Sequence, residues 1–473
     1  MFCSGNFIII TFSTVPADQT ACQFVEIHLI FFELIQKKLC MTQLKPKGNT
    51  AVNIAQSIEQ LIRRKVWSEG YRLPTVRSLA DELGVNPNTV SAAYKQLRDA
   101  GIIDTDGRRG SFVPHKTEIL HSDTAIPQGL VDLASGNVDR RLLPPLASDL
   151  FNHYSLNADV GNYGDHPELM KFLKNWLAEH IGIESEVMLL SSSLDIMERI
   201  LMQRCINGSK VLIEDPCWPP LPALLATLRL EAVPLQMDDE GAVIPEQLND
   251  DFSVVILTPR AHSPTGINYS RARWQQWQAF LNQRDALLIV DDHWAALSQQ
   301  PFYGMQAFEG EWMYTTSTSK FLGTDARIAI AAGNSNILHA MKKRFALGPR
   351  WISKILQHLT LQLWQRLEGE AMHEISENYR IRRQTLFACL NQHGIFPLGK
   401  NGEGFHIWLP VANEAQVIQF LAAKGWAVQS CAAFHFAKRG SVRITFSNLD
   451  LADCARLADD IAETLNVGRK TIY

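Results

Sequence analysis

Three runs, "KVLIED" (210–215), "SVVILTP" (253–259) and "ALLIVDD" (286–292), are apolar through their middles and end on an acid or a Pro turn. A strand with one wet face alternates polar and apolar residues. An unbroken apolar run has both faces buried, which a sheet achieves when helices cover both of its sides. "EAVPLQM" (231–237), "EWMYTTS" (311–317) and "ARIAIAAG" (326–333) also read as strands, and longer amphipathic stretches such as Tyr269 to Arg284 separate such runs. The alternation predicts an α/β domain with a mainly parallel sheet. Ligands of such sheets sit beyond the carboxyl ends of the strands, so polar residues there are the first candidates for a site.

Several fall in those places. "ALLIVDD" ends on Asp291 and Asp292; a carboxylate in a dry pocket can hold the proton of a pyridinium nitrogen, which suits pyridoxal 5'-phosphate, although an acid there can equally cap the next helix. Trp218 in "IEDPCWPP" can stack on a flat ring or fill a core, and Ser263 in "LTPRAHSPTG" sits on a turn where its hydroxyl can reach a ring substituent. Ser191, Ser192 and Ser193 open a helical stretch, where backbone amides favour a phosphate and serine caps are also ordinary. The stretch "TSTSKFLGTDARIAIAAG" (316–333) tips the balance: Lys320 follows Ser317 and Ser319 and precedes Arg327. The amine can take the cofactor's aldehyde, while the hydroxyls and the guanidinium take its phosphate.

The amino-terminal part has a different texture. "VNIAQSIEQLIRRKVW" puts Ile54, Ile58, Leu61 and Ile62 on one face of a helix. A second helix capped by Thr75 ends at Gly84, and a third starts with Asn86 as cap and Pro87 in its first position, with Val90, Tyr94 and Leu97 recurring on one side. After Gly101, "IIDTDGRRGSFVP" reads as strand, turn, strand with Arg108 and Arg109 at the tip. Two helices on a Gly turn followed by an arginine-tipped hairpin describe a winged helix-turn-helix over residues 49–115. The third helix then enters the major groove of double-stranded DNA with Asn86, Asn88, Thr89, Ser91 and Lys95, and Arg77, Arg108 and Arg109 meet phosphates. This segment holds nine Lys or Arg against seven acids, a mild positive excess inside a chain of net charge −4.

At 473 residues, at least two domains are expected. Eight scattered cysteines without CxxC or paired-His spacing speak against a zinc site and a disulfide framework, and point to a reduced cytoplasm. No metal is expected, and no apolar run reaches the roughly 18 residues of a membrane span. Residues 1–48 read as an extension, either disordered or preceding the true start at Met41, and residues 116–130 as a linker.

On these motifs, residues 49–115 resemble the winged helix of the GntR family of transcription regulators, and residues 131–473 resemble a fold-type I aminotransferase domain. The fusion is similar to the MocR subgroup. That resemblance implies Lys320 as the Schiff-base lysine, Arg327 as the phosphate arginine, Asp291 facing the pyridine nitrogen, Trp218 stacking on the ring, and Arg443 of "SVRITFSN" pairing with an effector carboxylate. It also implies a homodimer and a tyrosine lent across subunits, for which Tyr163 of "GNYGDHPEL" stands near the motif. His293 replaces the tyrosine that relatives carry two places after the acid, Ser263 replaces the asparagine before "PTG", and Ser192 replaces a phosphate-loop glycine. The expected protein is therefore a DNA-binding regulator that holds pyridoxal 5'-phosphate or an amino compound as effector, linked to vitamin B6 or amino-compound metabolism. The alternative is an active aminotransferase with an autoregulatory DNA-binding domain.

Overall fold

The structure, a computed structural model, describes residues 45–106, 110–114, 126–151, 154, 164–248, 251–436 and 440–470. Of the sequence expectations, residues 1–44 of the extension, most of the linker, Arg108, Arg109 and Tyr163 lie outside the described residues. The chain divides into two compact units, Met1–Thr117 and Glu118–Tyr473.

The first unit contains α1 (Ala51–Arg63), α2 (Val76–Leu83) and α3 (Pro87–Asp99), then the strands β1 (Asp104–Asp106) and β2 (Gly110–Phe112). The side chains of Thr50, Thr75 and Asn86 each cap the helix that follows them, and Gly84 closes α2 at φ 65°, a left-handed conformation that glycine adopts without a Cβ clash. Ile54, Ile58, Leu79, Val90 and Ala93 are fully or almost fully buried where the three helices meet. Tyr94 adds a hydrogen bond from its hydroxyl to Pro74 O at 2.7 Å, which ties α3 to the turn before α2. β1 and β2 pair antiparallel from Asp104 opposite Phe112 to Asp106 opposite Gly110, the expected wing.

The second unit runs β3 (Val131–Leu133), α4 (Pro167–Trp176), β4 (Val187–Leu190), α5 (Ser193–Arg204), β5 (Lys210–Asp215), α6 (Pro220–Thr227), β6 (Glu231–Asp238) and β7 (Gly241–Ala242). It continues with β8 (Val254–Leu257), α7 (Arg271–Leu281), β9 (Leu287–Asp291), β10 (Trp312–Ser317), β11 (Ala329–Gly333), α8 (Ser335–Phe345), α9 (Lys354–Leu367) and α10 (Glu370–Gln392). β12 (His406–Pro410), α11 (Glu414–Ala423), β13 (Trp426–Ser430), β14 (Ser441–Thr445) and α12 (Cys454–Lys470) complete it.

The large sheet has the order β4-β11-β10-β9-β8-β5-β6-β7. β10, β9, β8, β5 and β6 are mutually parallel, while β11, β4 and β7 run against their neighbours. Side-chain parity explains the unbroken apolar runs. Leu212, Leu257, Leu288 and Val290 enter the core on one face, and Ile213, Ile256 and Ile289 enter the core on the other. A second sheet, β12-β14-β13-β3, takes in a strand from the start of this unit, because β3 pairs with β13 in parallel. The buried Arg383 of α10 links the layers by donating to Gly399 O at 2.6 Å and His406 O at 2.8 Å.

Candidate cofactor site and DNA-binding face

β9 delivers two adjacent acids to opposite surroundings. Asp292 is fully buried and accepts from Arg260 Nε at 3.1 Å, from the Arg260 Nη2 and from the Tyr314 hydroxyl at 2.8 Å, so it is a structural ion pair. Asp291 borders a cavity of about 220 Å³ at the carboxyl edge of the sheet. Its Oδ1 is buried with no hydrogen-bond partner among the described residues. Burial, followed by the neighbouring Asp292 and Glu214 carboxylates, pushes Asp291 up to about 7, against the opposing pull of Lys320 and a hydrogen bond from Ser193. A buried acceptor without a donor is costly, and the N–H of a pyridinium ring is the donor that would satisfy it.

Lys320 comes from the connection between β10 and β11. Thr318 closes that connection through its amide and its hydroxyl, both donating to Ile328 O at 3.0 and 3.1 Å. The Lys320 Nζ lies 5.1 Å from the centre of the Phe405 ring. Burial and then the positive charge of Arg443 bring the amine down to about 8, with Asp291 opposing. Arg327, at the far end of the connection, is exposed and held at φ 23°, ψ 44°, a sparsely populated backbone conformation. It makes no ion pair among the described residues, and the hydroxyls of Ser317 and Ser319 lie 3.0 Å apart in the same connection. A guanidinium without a counter-anion beside hydroxyl donors fits a phosphate.

The sequence candidates Ser192, Ser193, Trp218, Ser263, Asp291 and His293 border this cavity, as do Ser317, Ser319, Lys320 and Arg327. The serines divide their work. Ser192 caps α5 by accepting from Asp195 N at 3.1 Å, whereas Ser193 holds Asp291 and lies 3.4 Å from the Thr315 hydroxyl, at the ring acid. Trp218 is 38% exposed, so it is no core residue. Burial and the charge of Lys320 push His293 down to about 3, so its imidazole is neutral. Sequence reasoning missed Glu214, Cys217 and Thr258, which also border the cavity. Glu214 and Cys217 stand in the "IEDPCW" turn already singled out for Trp218, and that neighbourhood was the available signal.

Arg443, on β14, does not border the cavity itself. Its Nη2 donates to Ala134 O at 2.6 Å, its Nε has no partner among the described residues, and burial brings the guanidinium down to about 10.

In the first unit, Asn88, Ser91 and Lys95 are exposed along one stripe of α3, Thr89 is half-buried, and Arg77 is exposed on α2. Asn86 is exposed, but its side-chain oxygen is engaged by Asn88 N at 2.8 Å as the helix cap, which leaves its amide hydrogens for other contacts.

Two family profiles match the chain: bacterial regulatory proteins of the gntR family over residues 50–113, and aminotransferase class I and II over residues 129–461. The vitamin B6 salvage pathway transcriptional repressor PtsJ of Salmonella typhimurium is 36% identical over 436 residues, covering 89% of this chain and 99% of that protein. The pyridoxine biosynthesis transcriptional regulator PdxR of Corynebacterium glutamicum is 24% identical over 274 residues, covering 53% and 58%. Among solved structures, the multiple substrate aminotransferase of Thermococcus profundus superposes with a TM-score of 0.66 at 17% identity, over 76% of this chain and 96% of that one. The kynurenine aminotransferase of Pyrococcus horikoshii does so with a TM-score of 0.62 at 20% identity, over 72% and 91%. The aminotransferase class I and II fold is a pyridoxal phosphate fold, and the orphaned oxygen of Asp291, the lowered amine of Lys320 and the unpaired Arg327 fit that cofactor. With a gntR winged helix ahead of an aminotransferase class I and II domain, and a vitamin B6 repressor as a full-length relative, the chain belongs to the MocR-like group of GntR-family transcription regulators.

Proposed function

We propose that this regulator binds an operator through α3 and the wing as a homodimer in the cytoplasm, and that pyridoxal 5'-phosphate attached at Lys320 is its sensed ligand or the handle for an amino-compound effector. The placement of one lowered amine, one orphaned carboxylate oxygen and one unpaired guanidinium around a single cavity carries this reading. The relation to a vitamin B6 salvage repressor favours a target in vitamin B6 metabolism.

When bound, pyridoxal phosphate supplies an aldehyde that an amine takes up reversibly. Lys320 is the amine, kept partly neutral at physiological pH by burial and by Arg443. Asp291 would receive the ring N–H, with Ser193 and the buried Asp292–Arg260 pair holding the acid in place. Arg327, Ser317 and Ser319 would take the phosphate, and Trp218 would cover a ring face. His293 is neutral and has no phenol to offer the ring oxygen, and Ser263 offers a shorter reach than an asparagine amide. This pocket is therefore better suited to holding the ligand than to cycling it, which favours a regulator over an active aminotransferase.

Borohydride reduction of the protein incubated with pyridoxal phosphate, followed by peptide mapping, is expected to place a pyridoxyl group on Lys320. A mobility shift on the protein's own upstream region should respond to the same ligand in the wild type and not in Lys320→Ala. A pyridoxyl group on other lysines only, or identical DNA binding with and without the ligand, would refute the sensing reading.

A further inference from the structure

A strap of residues 431–436, between β13 and β14, lies against the carboxyl end of β5. Cys217 N donates to Phe434 O at 2.9 Å and Phe436 N to Asp215 Oδ1 at 3.4 Å, and His435 Nδ1 stands 3.0 Å from the same carboxylate oxygen. The other imidazole nitrogen is 3.4 Å from the Ser441 hydroxyl, and the ring meets Trp408 edge-on at 5.1 Å. The His435 and Asp215 side chains are only 5% and 2% exposed, so the hydrogen bond between them is shielded from competing water.

Phe434 sits between these fastenings, and the Arg443 guanidinium lies over its ring at 5.2 Å. The guanidinium also meets the Ala134–Gly136 segment so closely that a Cβ at Gly136 would stand 2.9 Å from Nη2. The guanidinium is therefore held by contacts with both an aromatic ring and main chain. It makes no ion pair among the described residues. A planar fork held in this way can present its hydrogens in one direction only.

We propose that His435 and Asp215 are positioning residues for Arg443, the arginine expected to meet an effector's carboxylate: the hydrogen bond between them holds Phe434 against Arg443, and so fixes the direction in which the guanidinium receives the carboxylate of an amino-acid effector. This inference rests on the reading that the cavity takes pyridoxal phosphate and an amino compound. Neither residue borders the cavity. Substituting them should blunt the distinction between a carboxylated amine and a bare one, because a misaligned guanidinium keeps its charge and loses the paired geometry of its hydrogen bonds.

The test uses the full chain loaded with pyridoxal phosphate, titrated with L-alanine and with ethylamine, which differ by the carboxylate alone, and followed by the cofactor's visible absorbance. Wild type should prefer alanine, Arg443→Gln should lose the preference, and His435→Gln and Asp215→Asn should each reduce it by about tenfold while the ethylamine constant moves little. An unchanged preference in both strap variants overturns the proposal. So does an equal loss for both amines, which would show that the pocket, and not the arginine, was disturbed. A wild type that takes up pyridoxal phosphate but shows no preference removes Arg443 from carboxylate recognition and the strap's role with it. A wild type that acquires no visible band refutes the cofactor reading itself.

Discussion

The amine of Lys320 gives the sharpest quantitative test. A lysine at its ordinary value of 10.5 is neutral at pH 7 roughly once in three thousand molecules, and one at about 8 roughly once in eleven, a difference of about 300-fold in nucleophile. Since only the neutral amine attacks an aldehyde, the stopped-flow rate of pyridoxal phosphate uptake should rise about tenfold per pH unit up to about pH 8 and then level off. The charges around the amine fix the sign of the variants. Arg443 is the second cause of the lowering after burial, so Arg443→Gln removes a repelling cation, favours the protonated amine and moves the midpoint above that of wild type. Uptake at pH 7 then becomes slower, although Arg443 does not border the cavity. Asp291 opposes the lowering, so Asp291→Asn moves the midpoint down. A wild-type rate that keeps climbing tenfold per unit to pH 10 refutes the buried amine. Midpoints that shift opposite to these directions refute the electrostatic account.

Three further outcomes follow from the same geometry. Arg260→Leu leaves the fully buried Asp292 carboxylate without its cation and should cost about 3–5 kcal/mol in urea unfolding, against a small effect if the pair were solvated. Arg327→Gln should weaken pyridoxal phosphate by about tenfold or more and leave unphosphorylated pyridoxal nearly unchanged in equilibrium titrations, because Arg327 is read as holding the phosphate alone. Lys95→Gln and Arg77→Gln distinguish base reading from backbone anchoring: a residue that meets a phosphate lowers the slope of log affinity against log salt by about one for every DNA sequence when its charge is removed, whereas a residue that reads a base relaxes specificity at one position.

The large sheet was legible because both of its faces are buried, so Leu212 and Ile213, or Val290 and Ile289, had to be apolar together. The winged helix was legible through its caps: Thr75, Asn86 and Gly84 each do in the fold what their residue types suggest. The second sheet was not legible, because β3 and β13 pair across almost 300 residues of chain and local periodicity carries no record of such a partner. Within the cavity, the type and order of residues located Lys320, Arg327 and Asp291. They did not reveal that Ser192 spends its oxygen on a helix cap, or that Asp292 belongs to Arg260, since those assignments depend on which way adjacent side chains turn in three dimensions. The residues that hold Arg443 in place come from three distant segments, around 134, 216 and 434, and no spacing rule joins them.

β11 runs against β10, in a sheet whose centre is otherwise parallel. That single reversal means the chain leaves the sheet and returns to it on the same edge, so a contiguous loop of about ten residues carries both Lys320 and Arg327, the proposed nucleophile and anion anchor. The two cannot be re-spaced independently. An insertion or deletion between Lys320 and Arg327 would displace them relative to each other, whereas point changes could retune either one. A descendant of this chain that abandoned its ligand would thus be recognisable by a changed loop length before any change in the sheet beneath it.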